Sequence, residues 1–337
     1  MRKLRLGIIG AGWMAGMCCE GIAETDHLQA EMVYARRLSA AQEFAARYHL
    51  PACTDNLDEM LRSDTVDAVY IATTNETHLS LALQAVEAGK PVLVEKPFTL
   101  NYKEARQLVD AARRQGVFVM EAMWSRFIPG MLMAAELVRS GMFGNLSAIH
   151  MQTGCVLTPE KNGRVYDLSR GGGALVDIGV YALSILEMLV SQTPARVINR
   201  MSRDPASGVD IRDELTLVYS SGVRADILVT CEEERPTTLL LEGGRGSLAL
   251  DSFVQAQQLI VTQNGRTRYY DFSGNRYRYA YQLEHFARCV LEGEAESYIF
   301  PLDCTLRVMR TMDACRFAAG YLFPGEEQNT VLTADRR

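Results

Sequence analysis

Apolar residues in the first third of the chain arrive in short blocks, each followed by a longer stretch with helical spacing. Residues 4–9 form the first block, and 28–35, 67–72, 92–94 and 117–121 the next four. Short apolar runs bounded by Gly, Pro or polar turns read as buried strands. The stretches 13–23, 39–48, 79–88 and 101–115 read as helices, and Gly116 caps the last one. Strand and helix alternating from 4 to 121 predict a doubly wound parallel sheet of Rossmann type.

After residue 121 the pattern changes. A helix over 129–140 has Pro129 in its first turn. Strand-like runs then follow at 146–153, 195–202, 214–219, 224–230, 237–242, 247–250, 259–262 and 267–272. Turn pairs such as Ser221-Gly222 and Asn264-Gly265 separate some of them, which predicts a largely antiparallel sheet. One helix, about 177–190, interrupts the run after three glycines at 171–173, and helices near 279–292 and 302–319 close it. The expected fold is α/β: an N-terminal Rossmann doubly wound parallel sheet (1–122), then an α+β domain with a large, mostly antiparallel open sheet (123–325). A loose tail follows at 326–337.

Composition narrows the function. A chain of 337 residues with 48% hydrophobic and 23% charged residues buries substantial cores and fits two domains. A net charge of -6 without a basic block argues against a nucleic-acid partner. No apolar run approaches the roughly 20 residues needed to cross a bilayer. The N-terminus has no signal-peptide pattern. A cytoplasmic protein without a membrane partner is the expectation. Eight cysteines without a C-x-x-C pair read as reduced thiols, and five histidines without ligand spacing give no metal site.

The candidate chemistry sits at the strand ends. Residues 10–15, Gly-Ala-Gly-Trp-Met-Ala, form a G-x-G-x-x-A turn between a strand and a helix. Gly10 and Gly12 allow a tight turn and close backbone approach to a pyrophosphate, while Trp13 and Met14 open the helix whose N–H groups face the phosphates. Where a fold that prefers NAD carries an acid after the second strand, this chain has Arg36-Arg37. Guanidinium forks suit a 2′-phosphate, so the expected cofactor is NADP, with NAD as the second possibility. Thr73, Asn75 and His78, in the loop after the third strand, are expected to offer polar groups to the cofactor; His78 is alternatively the start of the next helix. Glu95 and Lys96 end the central strand, where both are expected to contact the cofactor, and Pro97 stops it. Ligands in open parallel sheets sit beyond such ends.

Together, GAGWMA at the start, IATTNETH at 71–78, VLVEKP at 92–97, EAMWSRFIP at 121–129 and GGGALVDIGVY at 171–181 resemble the glucose–fructose oxidoreductase / inositol dehydrogenase family over essentially the whole chain. Within it the dimeric dihydrodiol dehydrogenase and NADP-dependent D-xylose dehydrogenase branch is the most similar. The resemblance implies a Rossmann domain, then a domain for substrate binding and homodimer formation through its open sheet. It implies an NADP(H)-dependent oxidoreductase acting on a sugar, polyol or vicinal diol and its carbonyl partner. Lys96 matches the lysine that contacts substrate and nicotinamide ribose, and Tyr181 matches the acid/base tyrosine. The inositol branch has D-x-x-x-H where this chain has Asp177 to Tyr181. Asp177, one helical turn before Tyr181, either binds substrate hydroxyls or holds Lys96. Trp124 and Arg126 are expected at the nicotinamide or substrate end of the site, and Trp124 equally suits packing. The rival functions are a dinucleotide-binding regulator without turnover and a redox-assisted glycosidase with tightly held NAD.

Overall fold

The computed structural model describes residues 2–274 and 279–326. These group into two compact units, one within Met1–Phe127 and Asn275–Thr305, the other within Ile128–Gly274 and Leu306–Arg337.

In the first unit, β1 (Leu4–Ile9), β2 (Leu28–Tyr34), β3 (Ala52–Thr54), β4 (Ala68–Ile71), β5 (Val92–Glu95) and β6 (Val119–Ala122) form one sheet in the order β3-β2-β1-β4-β5-β6. Every pairing is parallel. Each strand therefore runs the same way, and all carboxyl ends lie along one edge. All residues of β4, β5 and β6 are buried, as expected of strands covered on both faces. The helices between strands are α1 (Trp13–Ile22), α2 (Leu38–Tyr48), α3 (Leu57–Arg62), α4 (His78–Glu87) and α5 (Tyr102–Gln115). The Asn101 side chain caps α5 by accepting from the Glu104 N–H at 2.9 Å, and Gly116 ends it at φ 63°. The three-residue β3 and six-residue α3 are additions to the expected pattern; neither is long enough to show a period.

The second unit holds α6 (Pro129–Arg139), α7 (Val180–Val190) and eight strands: β7 (Leu146–Gly154), β8 (Arg196–Arg203), β9 (Asp210–Val218), β10 (Arg224–Thr230), β11 (Leu239–Gly243), β12 (Gly246–Leu250), β13 (Gln258–Gln263) and β14 (Arg266–Asp271). Their order is β14-β13-β12-β11-β7-β10-β9-β8, with only the β7–β10 pair parallel. Alternation along each strand separates two faces. Leu215, Leu217, Ile227, Val229, Leu239 and Leu241 are all buried, and each such side chain contributes about 1.5–3 kcal/mol. The opposite face carries Glu214, Thr216, Asp226, Leu228 and Leu240, none of them buried. It also forms a groove of about 860 Å³ that includes His150, Ile198 and Arg200. Close approach packs α6 against the loop between β12 and β13: a Cβ on Gly130 would lie 2.0 Å from the Ala256 carbonyl oxygen.

Three expectations need correction. The chain does not stay in the second unit from 123 to 325, because α8 (Ala280–Glu292) belongs to the first. Phe286 of α8 meets Phe118 at 5.6 Å, and a Cβ on Gly21 of α1 would come within 2.8 Å of Leu283. The expected loose tail begins too early: Glu326 accepts from the buried Arg316 at 2.6 Å, while 327–337 lie outside the described residues. The segment Leu168–Val190 is long and apolar enough to cross a bilayer, contrary to the first reading, and 78% of its apolar window is buried. It includes α7, and nearly all of α7 is inside the second unit. None of the eight cysteines is in a disulfide, and α9 (Leu302–Ala318) closes the described chain.

Candidate active site

The expected site residues fall in both units. In the first, the loops leaving β1, β2, β4, β5 and β6 share the carboxyl edge of one parallel sheet. That edge carries Gly10, Arg36, Thr73, Lys96 and Trp124 in turn.

The two glycines of the first loop do different work. Gly10 has φ 110°, and a Cβ there would sit 2.6 Å from the Ala72 carbonyl oxygen, so conformation and space both demand glycine. Gly12 is extended (φ -92°, ψ -172°), a conformation open to any residue. A Cβ on Gly12 would meet nothing within 4 Å, so the backbone faces open space. α1 starts there with no side-chain cap and no acid in its first turn. Uncapped N–H groups beside an open cradle fit an anionic pyrophosphate. Trp13 is 70% exposed and Met14 half-buried at the same turn.

These geometries separate stability from binding. Gly10→Ala is expected to cost roughly 1–3 kcal/mol of stability through forced left-handed backbone and the clash with Ala72. Gly12→Val is expected to leave the thermal midpoint nearly unchanged and weaken dinucleotide binding at least tenfold, about 1.4 kcal/mol. Thermal melts and NADPH fluorescence titrations of both variants check the contrast.

Arg36 and Arg37 are exposed at the end of β2, with Arg37 at the N-cap of α2. Among the described residues, neither side chain makes an ion pair or hydrogen bond. Thr73 is half-buried, and its hydroxyl accepts from Thr77 Oγ1 at 2.7 Å.

Lys96 is half-buried just past β5, and its peptide bond to Pro97 is cis. Two of the residues expected at the cofactor also hold this turn. His78, wholly buried at the start of α4, donates Nδ1–H to the Pro97 carbonyl at 2.9 Å, and its Nε2 lies 3.4 Å from the Thr73 carbonyl. The Glu95 carboxylate is buried too: one oxygen accepts from the Tyr70 hydroxyl, the other from the Lys96 N–H at 3.2 Å. Tyr70 lies on the same sheet face of the neighbouring strand, and burial, with the Glu95 charge second, pushes its hydroxyl pKa well up. With these atoms committed inside the protein, His78 and Glu95 support the turn. Asn75 is also buried, in a 3-10 turn at Asn75–Thr77.

Trp124 and Arg126 lie in a 3-10 turn and are buried. The Trp124 ring meets Tyr279 at 5.3 Å, and the Arg126 guanidinium stacks over Phe300 at 4.0 Å. The Trp124–Tyr279 contact lies within the first unit. Arg126 turns its charge inward.

Glu121 escaped the sequence reading. Wholly buried at the end of β6, it accepts from the Phe98 N–H at 3.2 Å. Burial pushes its carboxyl up to about 7, against the pull of the Thr305 hydroxyl, Arg126 and the Phe98 amide. An acid inside the apolar run 117–121 was the available signal.

In the second unit, Asp177 belongs to a π-turn, Leu175–Gly179, and Tyr181 to the first turn of α7. The expected spacing of one α-helical turn therefore passes through a π-turn, which changes the shared-face argument; such turns recur at functional sites. Arg164 donates to Asp177 at 2.7 Å, a partner that sequence spacing does not reveal. Tyr181 is half-buried. Asp210 of β9 supports the π-turn by accepting from the Leu175 N–H at 2.6 Å. Gly173, at φ 125°, leaves no room for a side chain, since a Cβ would lie 1.9 Å from Asp210 Oδ1. Burial raises the pKa of Asp210, and burial with the neighbouring Asp210 raises that of Asp213 well up.

Comparison with known proteins points the same way. A family profile described as an oxidoreductase family with an NAD-binding Rossmann fold matches residues 4–123, and the GFO/IDH/MocA C-terminal domain profile matches 131–249. Trans-1,2-dihydrobenzene-1,2-diol dehydrogenase of Mus musculus is 30% identical, over 96% of this chain and 99% of its own length. The Bos taurus protein of that name is 28% identical over the same shares. Among solved structures, aldose-aldose oxidoreductase from Caulobacter crescentus complexed with glycerol is 25% identical with a TM-score of 0.85, covering 94% of this chain and 98% of its own.

Proposed function

This chain belongs to the GFO/IDH/MocA oxidoreductase family, and we propose that it is NADP(H)-dependent, transferring a hydride between the nicotinamide and a sugar, polyol or vicinal diol and its carbonyl partner. The broader statement, an NAD(P)-dependent oxidoreductase acting on CH–OH groups, is where the relatives converge. The finer cofactor assignment rests on one observation. Arg36 and Arg37 are exposed cations without a protein partner among the described residues, at the strand end where an acid would favour NAD. The substrate class follows the relatives, which by their names act on a dihydrodiol and on aldoses.

In this reading Gly10, Gly12, Trp13 and Met14 cradle the pyrophosphate, Arg36 and Arg37 receive the 2′-phosphate, and the Thr73 hydroxyl offers a further contact. When bound, the nicotinamide supplies the hydride acceptor or donor. The protein must then move a proton to or from the same substrate oxygen. Tyr181 does this as acid/base. A tyrosine hydroxyl ordinarily titrates at about 10, so it needs positive charge to work near neutrality. Lys96 supplies that charge and orients the reacting oxygen. Asp177, fixed by Arg164, binds substrate hydroxyls.

The test is a panel of aldoses, inositols, anhydro- and deoxysugars and trans-diols, with NADP and NAD reduction followed in the nicotinamide absorbance band. Turnover with NADP at a kcat/KM well above that with NAD supports the reading. Dinucleotide binding without turnover on any compound would favour a regulator.

We further propose that the chain works in the cytoplasm as a homodimer through the open face of its second sheet. Of the apolar positions expected at that contact, within 215–219, 227–229 and 239–241, Leu215, Leu217, Ile227, Val229, Leu239 and Leu241 are buried and Leu240 is exposed. The exposed face instead presents Ile198 (40%), Leu240 (39%) and Ile260 (39%) among Arg200, Thr216 and Asp226. Apolar positions ringed by polar ones mark a protein contact. Light scattering at micromolar concentration is expected to give twice the monomer mass for the wild type and the monomer mass for Leu240→Glu. A monomeric wild type removes the dimer.

A further inference from the structure

The turn that carries Lys96 is held in an unusual way. Strand exits are ordinarily satisfied by other backbone groups or by water. Here three backbone atoms in succession are held by three buried side chains. Glu95 of β5 accepts from the Lys96 N–H at 3.2 Å. His78 of α4 donates to the Pro97 carbonyl at 2.9 Å. Glu121 of β6 accepts from the Phe98 N–H at 3.2 Å. His78 and Glu121 are 0% exposed and Glu95 is 5% exposed, so all three hold the backbone from inside the protein.

Stability alone does not account for this choice. Burying carboxyl groups is costly, and an Asn or Gln accepts the same backbone bond without a charge. Burial raises the Glu121 carboxyl to about 7 despite the Thr305 hydroxyl, Arg126 and the Phe98 amide, so that cost is not fully offset. Fixed groups around a reactive side chain are what an active site needs, since a misplacement of about 1 Å costs on the order of 10²-fold in rate.

We propose that Glu121, together with His78 and Glu95, forms a clamp of positioning residues that sets where the Lys96 amine stands. The proposal rests on the reading that Lys96 acts in the reaction. None of the three touches substrate; each acts through the backbone on either side of Pro97.

A double-mutant cycle tests the clamp. Glu121→Leu removes the acceptor while keeping most of the volume, and Glu121→Gln keeps an acceptor. Glu121→Leu is expected to lower kcat about 10–100-fold with the KM for NADP changed less than about threefold, and Glu121→Gln to restore most of the rate. In a Lys96→Met background, Glu121→Leu should cost nothing further, because the residue it positions is gone. A readout independent of turnover accompanies this: the rate of reductive methylation at Lys96, followed by peptide mass spectrometry, should rise in Glu121→Leu. If circular dichroism shows that Glu121→Leu does not fold, the same cycle on His78→Leu decides. Equal losses in both backgrounds, or unchanged methylation of Lys96, overturn the clamp. A wild-type rate in Lys96→Met overturns it together with the reading it rests on. An inactive Lys96→Met beside an unaffected Glu121→Leu overturns the clamp alone.

Discussion

Tyr181→Phe is expected to keep the fold and the NADP affinity while kcat falls by about 10²–10⁴-fold, the usual contribution of a positioned acid/base. The substitution leaves the ring packing of a half-buried residue in the first turn of α7 and removes only the hydroxyl. Lys96→Met should lose at least as much, because in the proposed reading it deletes the group that orients the reacting oxygen. If the two act as a unit, the double variant should be little worse than either single one, far from the product of the two losses. Steady-state kinetics on a substrate from the panel read both. A near-normal kcat for Tyr181→Phe would reduce the tyrosine to packing and leave Lys96 as the proton donor to be tested.

The second large effect concerns cofactor choice. Arg36→Ala should weaken NADP by about ten- to a hundredfold and leave NAD nearly unchanged, because a charge-assisted hydrogen bond contributes roughly 1.5–3 kcal/mol. The side chain is exposed and makes no hydrogen bond or ion pair among the described residues, so its removal leaves no buried group unsatisfied. Fluorescence titration with both reduced cofactors measures the difference. Equal losses for the two would assign Arg36 to a role other than the 2′-phosphate.

The parallel sheet was legible because its strands are short, apolar and separated by helices of clear period. β3 and α3 were too short to show any. Sequence periodicity also carries no information on which body a segment joins, so the return of α8 to the first unit was hidden until Phe286 was seen against Phe118. In the second sheet the alternation was legible but its direction was not: a one-residue parity decides whether Leu239 or Leu240 faces outward. Motif position led to Gly10, Gly12 and Lys96, which lie on the carboxyl edge of the parallel sheet. The same logic put His78 and Glu95 at the cofactor, and only their hydrogen bonds show them holding the Lys96 turn from within. Asp210 was missed because β9 was expected to start at Glu214; the charged residues 210–214 look like a loop, yet Asp210 and Asp213 are buried.

The central claim is that this chain carries out redox chemistry on a carbinol. Its most direct test uses a substrate from the panel deuterated at the reacting carbon, incubated with the wild-type protein and NADP. NADPH one mass unit heavier is expected by mass spectrometry, with loss of that product in Tyr181→Phe over the same interval. Unlabelled or unreduced NADP, recovered from a protein that demonstrably binds it, would contradict the account.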